Sequence, residues 1–156
     1  MTYQTTLIPG SGYGNTFIDS LIYGDRWVGS VITYSFNSGA TYGAQYGYIS
    51  GDNWLPSERS AVASVFSSYS AVCNLTFQNV TDNSSSSNLA FWSLSSWYMG
   101  LNQGAFDTPN GVYSQLYGYF NYSDPGWFYL QPGGQGYEVL VHEIGHALGL
   151  AHPHDG

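Results

Sequence analysis

Two stretches of the chain repeat their apolar positions at helical spacing. In PSERSAVASVFSSYSAVC (56–73), Ala61, Val62, Val65, Phe66, Tyr69 and Cys73 fall near steps of three and four, which predicts an amphipathic helix. Pro56 suits its first turn, and Glu58 favours the positive end of its dipole. A second helix is predicted from about Tyr137 to Leu148, with Glu138 in its first turn and Leu140, Ile144, Ala147 and Leu148 on one apolar side. Around these lie short runs rich in β-branched and aromatic residues. VITYSF (31–36), NLTFQNVT (74–81), LAFWSLS (89–95) and YGYFNYSD (117–124) read as strands, and GAFDTP (104–109), ending at a proline, as an edge strand. LIYGDRW (21–27) is an apolar run followed by a turn. Stretches 38–52, 81–88 and 125–136 read as loops. Residues 1–16 are polar and Gly/Ser-rich, and read as a flexible leader. This order predicts an α+β chain, an α/β-type sandwich in which a long helix and a second helix pack on a twisted mixed sheet.

Composition narrows the picture. A chain of 156 residues, 43% hydrophobic and 18% aromatic, suffices for one domain with a real core. Only 8% of residues are charged, none is lysine, and the formal charge is −8. Such a surface repels phosphate, so nucleic acid and anionic membrane are excluded as partners. No apolar run approaches a membrane span, and the N-terminus lacks the basic start and apolar core of a signal peptide. Cys73 is the only cysteine, so it forms no internal disulfide and reads as a plain buried thiol.

The remaining chemistry is concentrated in VLVHEIGHALGLAHPHDG. Positions i and i+4 of a helix differ by ~40° in azimuth and ~6 Å in height, so His142 and His146 present both imidazoles on one face. The apolar residues of this helix lie on the other face, which turns the histidines towards a cleft. Glu143 lies about 100° round from His142, placed to hydrogen-bond a water rather than to ligate the same ion. Gly149 can take the left-handed conformation that closes a helix, and the reversal brings His152 back. Three neutral imidazoles leave a fourth tetrahedral position open, as catalytic zinc sites do. His154 and Asp155 read as solvated bystanders.

The signature His142-Glu143-x-x-His146-x-x-Gly149-x-x-His152 resembles that of the metzincin zinc endopeptidases. Pro153 directly after the last histidine is similar to the serralysin branch. GDRW (24–27) followed by VITYSF also resembles the opening of serralysin catalytic domains. The resemblance covers residues 17–154. It implies that residues 17–156 are the N-terminal, upper part of a metzincin catalytic domain, with zinc held by His142, His146 and His152. It implies hydrolysis of peptide bonds by a metal-activated water, with Glu143 as general base. The partner would be a protein or peptide substrate lying along an edge strand near Ala105, and the enzyme a monomer. Family habit further implies a secreted, extracellular protein exported by a C-terminal signal.

The family's methionine turn downstream of the third histidine has no counterpart, because Met1 and Met99 both lie upstream. Nor do the family's calcium repeats, so calcium would enter only with a missing C-terminal part. The expectation is therefore a truncated catalytic domain without its lower subdomain. The alternative is a zinc-binding, non-catalytic or surface-binding domain.

Overall fold

A computed structural model describes residues 5–7, 14–22, 25–38, 50–95 and 114–152. The edge strand expected at 104–109, with Ala105, lies outside them, as do Pro153, His154 and Asp155.

The sheet is built around β3 (Val31–Asn37), in which Ile32, Tyr34, Ser35, Phe36 and Asn37 are all buried. It runs parallel to β5 (Thr76–Asn79) on one edge and β6 (Leu89–Ser95) on the other, with Ile32 opposite Phe77 and Tyr34 opposite Leu89. β7 (Leu116–Asn121) continues the sheet parallel to β6. β4 (Ser50–Asp52) pairs antiparallel with the last residues of β6, within the stretch 38–52 expected to be loop. One short antiparallel strand on a parallel sheet makes the mixed sheet that the pattern predicts. Apart from it, β1 (Thr5–Leu7) pairs with β2 (Asp25–Trp27). The stretch expected to be a leader thus contains a strand, and its last residue opens α1 (Thr16–Asp19).

Parallel neighbours need a crossover, and between β3 and β5 it is α2 (Pro56–Val72). Its buried residues are Glu58, Ala61, Val62, Val65 and Phe66: the predicted stripe as far as Phe66 with the glutamate added, while Tyr69 and Cys73 at its end are only half-buried. Phe66 stacks on Phe77 with ring centroids 4.2 Å apart and lies 4.6 Å from Tyr34. Tyr34, Phe36, Trp54, Phe91, Phe120 and Trp127 extend this aromatic core across the sheet. Glu58 is buried because both oxygens have donors: Oε2 accepts from Leu55 N–H at 2.7 Å and Oε1 from the Trp127 indole at 2.6 Å. Trp127 belongs to a 3₁₀ turn, Pro125–Phe128, so this bond ties the start of α2 to the approach of α3 (Gln135–Ala147). Cys73 departs from the expected buried thiol. It is half-buried at the end of α2, where its sulfur donates to Tyr69 O at 3.0 Å.

Candidate metal centre

α3 begins two residues before the predicted Tyr137, and its terminus is decided by one glycine. Leu140, Ile144 and Ala147 are buried in the core. Gly145, between the histidines, lets α2 approach closely: a Cβ there would stand 2.9 Å from the Tyr69 hydroxyl. That hydroxyl donates to Val141 O at 2.8 Å, so Tyr69 grips the helix one residue before His142.

The helix closes after Leu148 in a Schellman motif. Gly149 N–H donates to His146 O at 2.9 Å and Leu150 N–H to Gly145 O at 3.0 Å. Gly149 takes φ +102°, a conformation that a Cβ would strain. The reversal carries His152 back to the helix face, as the spacing predicts.

The three histidines meet at their Nε2 atoms. His142 and His146 are 3.0 Å apart, and His152 is 3.1 Å from each. His142 is exposed, and His146 and His152 are half-buried. His146 Nδ1 lies 2.7 Å from Leu150 O. A carbonyl only accepts, so this nitrogen carries the proton and, in the neutral ring, Nε2 is left with its lone pair. Around His142, partial burial and then the like charge of His146 and His152 hold the imidazole below its ordinary pKa, favouring the neutral ligand form.

Zinc fits this donor set. Ligands ~2.0–2.1 Å from a tetrahedral ion lie ~3.3–3.4 Å from one another, so the Nε2 triangle needs to open by only a few tenths of an ångström. Lone pairs brought this close repel unless a cation stands among them. Among the described residues, no other group of three or more histidine, cysteine or acidic side chains is arranged for a metal. Glu143 is half-buried beside His142 on the same helix. A cavity of about 580 Å³ lies elsewhere, between α2 and residues 122–132, and none of the histidines lines it.

The pattern alone gave no signal for the support around the site. The buried Trp27 donates its indole N–H to Ala147 O at 2.8 Å. Ala151 N–H donates to Leu21 O at 2.9 Å, and Ile22 bridges Leu150. These partners lie too far away in sequence for periodicity to pair them.

No curated protein matches the chain. Among solved structures, the structure of myroilysin superposes with a TM-score of 0.45 at 21% identity, covering 83% of this chain and 52% of that one. The chain thus spans about half the length of that relative. The family described as Matrixin matches residues 52–156, which include the sheet strands from β5 onward, both long helices and all three histidines. With that match over more than half its length, the chain belongs to the Matrixin family of zinc-dependent metzincin peptidases.

Proposed function

We propose that His142, His146 and His152 hold the catalytic zinc of an endopeptidase and that Glu143 is its general base. The convergence of three Nε2 atoms within 3.0–3.1 Å of one another carries this reading. When bound, zinc supplies a Lewis acid that acidifies water and polarises a carbonyl. The chain's own residues do the rest. The imidazoles offer neutral lone pairs, and Leu150 O fixes the His146 tautomer. Glu143, on the same helix, takes the proton from the attacking water and passes it to the leaving amine.

The finer assignment is to the serralysin branch, supported by Pro153 after the last histidine and by GDRW before β3. A secreted enzyme acting on extracellular protein follows from that branch.

The test is cleavage of a casein-type substrate by the zinc-loaded protein, with and without chelator. Chelator should abolish turnover, and Glu143→Ala should lower it at least ~100-fold while zinc stays bound. Chelator-insensitive cleavage, or an active Glu143→Ala protein, rejects the proposal. Bound zinc without turnover in the native protein points instead to a zinc-binding, non-catalytic or surface-binding domain.

A further inference from the structure

The connection between the second and third histidines, residues 147–151, is touched at three points, by Leu21, Ile22 and Trp27. Trp27 Nε1 donates to Ala147 O at 2.8 Å across a sequence separation of 120. Leu21 O accepts from Ala151 N–H at 2.9 Å. Ile22 pairs with Leu150 as an isolated antiparallel bridge. None of these contacts is needed to end the helix, because the Schellman bonds already do that. Ala147 O is one of the last carbonyls of α3, which have no partner further along the helix, and the Trp27 indole satisfies it. Leu150 and Ala151 have the more direct link to the ligands. Leu150 carries the carbonyl that accepts from His146 Nδ1, and Ala151 immediately precedes His152.

From this we infer that Leu21, Ile22 and Trp27 form a brace that positions two of the three metal ligands, with Trp27 as its side-chain anchor. The inference rests on the zinc reading of the triad. The Trp27 indole holds the last turn of α3 against β2. The Leu21–Ile22 backbone holds Leu150 where its carbonyl selects the ligand tautomer of His146. The same backbone holds Ala151 where the chain delivers His152. No atom of the brace belongs to a ligand, so its effect on the metal passes entirely through placement. Loss of such outer partners lowers metal affinity by roughly 10- to 100-fold.

Trp27→Phe in the full chain tests the inference, since a six-membered aromatic ring remains while the N–H donor is lost with the five-membered ring. Two readouts are needed. In metal-free protein, hydrogen exchange should quicken about 10-fold across 147–152, while α2 keeps its protection. In zinc competition against a chromophoric chelator, affinity should fall roughly 10- to 100-fold, with an altered visible spectrum when Co²⁺ replaces zinc. Ala151→Pro removes the donor to Leu21 and should move both readouts the same way, so it decides the matter if Trp27→Phe does not fold. A Trp27→Phe protein that melts earlier, yet keeps native exchange at 147–152 and native zinc affinity, would show that the indole is packing alone and would overturn the inference. A wild-type chain that binds no zinc sinks the zinc reading by itself. Metal-free exchange then still decides whether the brace exists.

Discussion

On the inner face of the sheet, Phe66 of α2 stacks on Phe77 at 4.2 Å and touches Tyr34 and Phe91, so it has aromatic partners on three strands. At the end of α3, the turn that carries His152 is held by one glycine conformation and a handful of single hydrogen bonds. Burial holds the first region, and it is redundant: losing one contact leaves many. The second is held by directional bonds, each made once. The core should therefore tolerate rearrangement at a cost in stability, whereas the metal corner should lose precision before it loses its fold. The two regions can be pulled apart by substitution.

The largest effect on stability belongs to the core. Phe66→Ala removes a buried ring and leaves a cavity, and should destabilise the chain by about 3–5 kcal/mol in denaturant unfolding. Zinc affinity of the fraction that remains folded should change by less than about 3-fold, since the ring contacts of Phe66 are with Tyr34, Phe77 and Phe91 on the sheet rather than with the histidines. A large loss of affinity in folded Phe66→Ala would mean that the core and the metal corner are one cooperative unit.

Gly149→Ala should do the reverse. Its φ of +102° is strained for alanine, at a cost of about 1–2 kcal/mol. The turn can relieve that strain by shifting residues 150–152, so zinc affinity should fall by about 10-fold or more. Equilibrium unfolding and chelator competition on the same sample measure both numbers. If stability drops but affinity holds, the contacts from Leu21, Ile22 and Trp27 are enough to place His152 and the glycine only closes the helix.

The same contrast explains what could be read from the sequence. The apolar stripe of α2, the main sheet strands and the ligand triad all follow local rules: a period, a turn residue, a spacing along one helix. Those rules place Ala61, Val62, Val65, Phe66, His142, His146 and Gly149 where the structure has them. Glu58 was legible only as a favourable charge at a helix start. Its burial depends on an indole 69 residues away, which no local pattern announces. Trp27 stood out only as part of a resemblance, and its bond to Ala147 O spans 120 residues. The strand at Thr5–Leu7 was hidden for the same reason, because three residues in a polar stretch gain strand character only from their partner at Asp25–Trp27. Local chemistry could thus name the candidate ligands, but the groups that hold the turn between them are set by tertiary contacts.

The smallest expected effect concerns protons at the metal corner. His142 has its pKa lowered from the ordinary 6.5 by burial first and by His146 and His152 second. Between the lowered folded value and 6.5, the unfolded chain binds more protons at this site than the folded chain does, so metal-free stability rises with pH across that window. The site imposes no penalty above pH 6.5, and its penalty develops as pH falls below 6.5 towards the folded value. His142→Gln removes the titration, so the wild-type protein should lose thermal midpoint relative to the variant between pH 7.5 and 5.5. The core offers no such handle, and the difference between wild type and Phe66→Ala should stay constant over the same range. Zinc should sharpen the contrast, because protons compete with the ion for the His142 imidazole and its affinity should fall as pH drops below 6.5. Melting curves of metal-free wild type, His142→Gln and Phe66→Ala at three pH values decide the point. A wild-type to His142→Gln difference that does not change with pH would mean that the imidazole is fully solvated in the metal-free fold and that the triad closes only when the ion arrives.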